Sequence, residues 1–296
     1  MSATTFPTTS SSVAGAAWMV LAGAVFAVIN TLVQLATAGA GVSSFTVAFF
    51  QYLVALAVTL PWVLRHGIPS MRTRYFWLHL FRAALAAFGV QLWVAGLAYP
   101  VPIWAAIALL MTSPFFVTIG ARVFLGETVT LERWLAVIVG FAGALIILDP
   151  WADVFQWASF LPIGAAALWA GSSLCLKRVV DDESVWPTTA WLLVLLTPFN
   201  LAFAIPAGFA IPDATTWMIV IVAGVLTAAA QGFLALAYSR ADAAFVQPFD
   251  LIKLPLNVLA GFIVFAWVPP GNLWLGAALI VGASLYLMAR ENRQEN

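Results

Sequence analysis

Charge is what this sequence has least of. Only 8% of its 296 residues are Asp, Glu, Lys or Arg, against about a quarter in soluble domains. The two signs balance at 12 each, so no basic surface points to a nucleic-acid partner. The single cysteine, Cys175, excludes an internal disulfide and any cysteine-built metal site. Two histidines, His66 and His79, cannot supply a His-Glu-x-x-His zinc motif. No Gly-x-Ser-x-Gly elbow and no carboxylate pair lies within an apolar run, so an intramembrane enzyme has no catalytic constellation to rest on. No phosphate-cradling loop is present to bind ATP. Neither a metal nor a cofactor is expected.

Apolar residues fill the space that charge leaves. They make up 64% of the chain, with a mean hydropathy of +1.02. No soluble core hides that much apolar surface, so the class is an integral, all-α membrane protein with the lipid bilayer as its solvent. A helical span needs about 20 apolar residues, and ten such runs are predicted: 13–35, 44–64, 76–98, 101–122, 132–149, 157–179, 187–208, 214–238, 243–267 and 272–290. The residues before Val13 are rich in Ser and Thr and carry no Lys or Arg. They lack the basic start of a signal peptide, so the first run is expected to stay as a span.

The basic residues order these spans. Arg65, Arg72, Arg74, Arg122, Arg133, Lys177, Arg178, Arg240, Arg290 and Arg293 all fall on one side of a ten-span chain. The opposite loops hold Asp149, Asp153 and Asp213 and no basic residue. The positive-inside rule then predicts a multi-pass membrane protein with both termini cytoplasmic. Trp62, Trp77, Trp134, Trp157, Trp217 and Trp274 sit near span ends, where amphipathic rings prefer the headgroup level.

An internal repeat divides the chain. Leu-Ala-Tyr occurs at 97–99 and again at 236–238, while Pro114 and Trp134 have counterparts in Pro255 and Trp274. Five spans per half is an odd number, so the second half must insert upside down. Such inverted repeats place a substrate site near the bilayer midplane, between the halves. The expected organisation is a tail over 1–12, five helices over 13–149, five over 150–290 and a tail over 291–296, around a central cavity.

Leu125, Gly126 and Glu127 follow Pro114, with Glu127 thirteen residues beyond it. With ten spans in a five-plus-five repeat, this pattern resembles the drug/metabolite transporter superfamily, EamA type. The whole chain is also similar to the YddG-type bacterial amino-acid exporters. Family members often carry an arginine in span two, where this chain has Gln51, and a second Gly-Glu where this chain has Phe-Ala-Trp at 265–267. The resemblance implies a basket of helices, alternating access and export of small metabolites.

Rare polar residues inside the spans are the candidate site. A charge at the bilayer centre costs ~2.5–3.5 kcal/mol on insertion scales, so such residues face the interior or water. Asp250, Lys253 and Asn257 share one face of span nine, and Pro248 and Pro255 flank the pair. Asp250 and Lys253 can neutralise each other; a purely structural role, stiffening an irregular helix, is the other reading. His79 and Arg82 lie on span three. Arg82 either snorkels to the headgroups or faces Asp250 across the cavity, and His79 either titrates or serves as a structural donor. Asn30, Gln34 and Gln51 form a second amide cluster, able to hold a zwitterion or to glue helices. Trp104 and Trp169, with Trp93, Tyr99 and Tyr238, offer aromatic lining. Gln91, Asn200, Gln231, Ser172 and Ser173 read as interhelical glue.

The resulting expectation is a secondary transporter exporting neutral or zwitterionic metabolites, amino acids including aromatic ones foremost. Sugars, nucleosides or cationic drugs are the alternative within the same superfamily. The partners are then a small-molecule substrate and the bilayer, with the chain a monomer or weak dimer.

Overall fold

In a computed structural model, residues 9–38, 42–97, 109–148, 158, 160–266, 268 and 273–294 are described. Among them every regular element is helical. The helices are α1 (Thr9–Ala38), α2 (Ser44–His66), α3 (Phe76–Leu97), α4 (Ser113–Gly120), α5 (Leu131–Leu148), α6 (Phe160–Val180), α7 (Val185–Ala204), α8 (Ala214–Arg240), α9 (Ala243–Asp250), α10 (Lys253–Phe265) and α11 (Leu273–Gln294). Span four is α4 with a π-helical turn over Ala121–Leu125, span nine is α9 with α10, and span ten is α11. These helices fall on all ten expected runs, and among the described residues seven segments are long and apolar enough to cross a membrane.

Two spans are broken, at matching places. Met111 and Thr112 form a turn ahead of α4, with Pro114 just beyond. Leu251 and Ile252 form a turn between α9 and α10, with Pro255 just beyond. Leu251 follows Met111 by 140 residues, as Ala266 follows Gly126, and both of the latter end their helices with positive φ, 53° and 71°. A missing proline N–H explains each break, because it leaves a carbonyl one turn back without its usual donor. The Leu251 carbonyl accepts from the Leu254 N–H instead, at 3.1 Å. The Thr112 hydroxyl donates to the Leu109 carbonyl at 2.7 Å, and Ser284 of α11 donates to the Pro248 carbonyl at 3.1 Å. Each side chain thus satisfies backbone that the bilayer would leave dry.

The packing repeats as well. α1 lies along α8 and α6 along α3; α1 meets α9 and α10, and α6 meets α4; α2 meets α8, and α7 meets α3. α2 also packs on α7, α5 on α11 and α4 on α9. Exchanging each span for the one five places later maps these pairs onto themselves, the pattern of a two-fold repeat. Small residues allow the close approaches, as membrane helix pairs require. A Cβ on Gly224 of α8 would stand 2.5 Å from the Val54 Cβ of α2, and one on Gly143 of α5 would meet the Gly276 carbonyl of α11 at 2.7 Å.

Candidate transport site

Two glycines give the depth of the break in span nine. Gly23, midway along the first apolar run, faces Lys253, whose Cβ lies 3.3 Å from a Cβ built there. Gly140, midway along the fifth, is covered by the side chain of Leu251. Both put the turn at Leu251–Lys253 near the middle of the bundle's height.

Asp250 closes α9 and Lys253 opens α10. A carboxylate at a helix C-terminus and an ammonium at an N-terminus each oppose the helix dipole. They offset this by pairing across the turn at 2.5 Å, with side chains 16% and 22% exposed. One turn further along α10, Asn257 donates to the Lys253 carbonyl at 2.7 Å and accepts from Asn30 of α1 at 3.0 Å. Asn30 is exposed although it lies within a span. Gln34 is half-buried one turn beyond it on α1.

Trp169 of α6 lies against α3. Its indole N–H donates to the Ala86 carbonyl of α3 at 3.2 Å, and its ring covers Gly89, where a Cβ would stand 2.5 Å from the indole nitrogen. Trp93 lies beside it, with ring centroids 6.4 Å apart. Ala86 and Gly89 are midway along the third run, so this aromatic surface shares the level of the break in span nine.

Two model matches to a single family, described as the EamA-like transporter family, cover residues 13–149 and 156–289. The chain belongs to the EamA-like transporter family. Among curated proteins it is 54% identical to a "Riboflavin transporter" of Rhizobium johnstonii, over 97% of this chain and 94% of that protein. It is 52% identical to a "Riboflavin transporter" of Vibrio cholerae, over 95% and 94%. A solved crystal structure of another protein superposes with a TM-score of 0.77 at 17% identity, covering 98% of this chain and all of that one; it speaks to the fold alone. This EamA-type chain is therefore a multi-pass membrane transporter and not an enzyme.

The geometry of this family member departs from some sequence expectations. Gln51 does not join Asn30 and Gln34. It is buried, and its amide donates to the Thr227 hydroxyl of α8 at 2.7 Å, so α2 and α8 share it. Arg82 neither snorkels nor meets Asp250. It is 2% exposed, its Nη1 reaches the Thr188 carbonyl of α7 at 3.4 Å, and Asp250 is held by Lys253 instead. His79 is fully buried, stacks on Trp191 and meets Glu183 at 3.3 Å. That is the structural reading of His79. Trp104 lies outside the described residues.

Other contacts have partners that the sequence did not signal. The basic end of the transporter is tied by two clasps. In the first, the Glu127 carboxylate of the loop after span four accepts the backbone N–H groups of Ala243 and Ala244 at 2.8 and 3.0 Å, capping α9. Arg133 of α5 pairs with Asp242 at 3.0 Å beside it. Burial pushes the Glu127 carboxyl above its ordinary value; the two N–H groups oppose this, Asp242 adds to it and Lys177 opposes it. In the second clasp, Thr73 and the Arg74 N–H bind Glu183, while Tyr75, Arg74 and Arg178 converge on Asp182. The Tyr75 hydroxyl, and then Arg74, hold the Asp182 carboxyl below its ordinary value. Tyr238 of α8 accepts from Gln247 of α9 at 2.6 Å. The uneven spacing of these partners along the chain hides them from any helical pattern.

Proposed function

We propose that this chain carries riboflavin across the membrane by alternating access, with the binding site at mid-height where span nine breaks. The observation that carries the substrate is the identity of 54% and 52%, over nearly the full chain, to two proteins named riboflavin transporter. Amino-acid export, expected from the sequence, finds no support in these relatives.

The chemistry of the candidate residues suits a flavin. Riboflavin is uncharged at neutral pH, broad and aromatic at one end and rich in hydroxyls at the other. Asp250 and Lys253 cancel each other, so their pair can meet a neutral passenger without stranding a charge. Asn30, Asn257 and Gln34 supply donors and acceptors for a ribityl chain. Trp169 and Trp93 offer ring faces, and aromatic pairs add ~0.5–1.5 kcal/mol beyond burial. Gln51 and His79 hold helices together and take no part in binding. Substrate then moves down its own gradient, inward wherever the cell consumes free riboflavin. The basic end lies in the cytoplasm, with both termini, in the bacterial inner membrane; a reporter fused after Arg293 and one in the 65–75 loop test this.

The deciding experiment is uptake by proteoliposomes of purified protein, with labelled riboflavin beside threonine, methionine and phenylalanine. Riboflavin is expected to enter and the amino acids to stay out. Entry of the amino acids without riboflavin would overturn the substrate. Lys253→Ala and Asp250→Ala are each expected to abolish riboflavin entry in protein that still purifies as a folded monodisperse species. Unchanged entry in both would assign the pair to structure alone.

A further inference from the structure

Arg82 is a charge with its donors mostly idle. A guanidinium has five N–H groups in a rigid fork. Here one makes a single bond to the Thr188 carbonyl, at 3.4 Å, near the limit of what counts as a hydrogen bond. The Nε is fully buried and has no partner. No carboxylate pairs with Arg82 among the described residues, since Asp250 is taken by Lys253, and Glu183 by His79, Thr73 and Arg74. Leaving a buried cation unpaired is costly; no described carboxylate offsets that cost, and a group that arrives from outside the fold could.

The position of Arg82 says what kind of group. Arg82, Ala86, Gly89 and Trp93 are spaced i, i+4, i+7 and i+11, one face of α3. The outer face of the helix carries Trp77, Phe81 and Phe88, all more than half exposed. Trp169 is seated on Ala86 and Gly89, so the arginine stands at one rim of the aromatic surface. From Ala86 to Arg82 is four residues, about 6 Å along the helix, within the length of three fused rings.

Resting on the proposed riboflavin reading, we infer that Arg82 binds and orients the substrate. When the basic end opens, its fork takes the N1 and C2=O acceptors of the flavin's pyrimidine ring, while the benzenoid end lies on Trp169 and Trp93. A planar fork matches two adjacent acceptors, and a point-charge ammonium does not. The same contact gives selectivity, because a substrate lacking those acceptors leaves the arginine buried and unpaired.

The test measures transport kinetics in proteoliposomes for wild type, Arg82→Lys and Arg82→Gln, with riboflavin and its 2-thio analogue, whose sulfur is a poor acceptor. Wild type is expected to prefer riboflavin. In Arg82→Gln the KM for riboflavin rises roughly tenfold or more, the KM for the analogue changes less, and the preference collapses. Arg82→Lys keeps the charge without the fork and falls between. Should Arg82→Gln fail to accumulate, Arg82→Lys decides by the same ratio. Variants that lose folded protein or maximal rate while keeping the wild-type preference would make Arg82 a packing residue and overturn the inference. Wild-type protein that moves no riboflavin would overturn the substrate reading first, and is distinguished by failing before any variant is compared.

Discussion

Glu127 caps α9 at the basic end, and removing it has a calculable effect. Its carboxylate is the acceptor for two backbone N–H groups of α9. Glu127→Ala strands both, and each buried donor left without a partner costs about 1–3 kcal/mol. The site is part-buried, so water replaces some of the loss; about 2–4 kcal/mol in total is expected. Glu127→Gln keeps one acceptor oxygen and loses the charge, for about 1–2 kcal/mol. At ~2 °C per kcal/mol for a chain of this size, the alanine variant melts about 4–8 °C lower. The pH dependence separates the charge from the bonds. The folded-state value of Glu127 is raised, chiefly by burial. The folded protein therefore holds this proton more tightly than the unfolded chain. Its contribution to stability is full below the ordinary glutamate range and is lost as pH rises from that range through the raised folded value. Melting of detergent-solubilised protein across pH 4–8, an interval of about four units around that range, should show this decline in wild type and a shallower one in Glu127→Gln. Identical slopes would refute the idea that Glu127 titrates with folding. Equal melting temperatures for wild type and Glu127→Ala would refute the clasp.

Two further outcomes follow from local geometry. Ala266 ends α10 with φ 53°, a left-handed conformation costing an L-residue about 1–2 kcal/mol; Ala266→Gly should raise the melting temperature slightly, because the extra freedom of glycine in the unfolded chain offsets part of the relief, and a fall would show the strain to be illusory. Gln51→Leu removes the bond between α2 and α8, worth ~0.6 and at most ~1.7 kcal/mol in membrane interiors; thermal stability should drop modestly while riboflavin KM stays put, and a shifted KM would return Gln51 to the binding site.

The spans were legible because the bilayer leaves a chain few options: about 20 apolar residues per crossing and backbone satisfied from within. The break in span nine was legible too, since Pro248 and Pro255 flank a charge pair and neither ring can donate to the helix. What the sequence could not show was who meets whom. Glu127 stands out in the sequence through its Leu-Gly-Glu motif, but its partners do not, because the amides it binds lie 116 and 117 residues away and backbone carries no signature. Gln51 has the depth of Asn30 but points to a different neighbour, Thr227, and depth alone does not fix rotation about the helix axis. Arg82 has the snorkelling option on paper. The close packing of α3 against α6 and α7 takes that option away.

The ion pair across the turn of span nine has an electrical consequence. Its two members, fixed side by side at 2.5 Å, sum to zero. A passenger without charge that slips past them drags no net charge through the transmembrane field. Each elementary charge moved would couple turnover to about 2.3 kcal/mol per 100 mV. On the proposed riboflavin reading this pair therefore adds no voltage dependence of its own to turnover, and any sensitivity to membrane potential would have to come from another charge, Arg82 foremost.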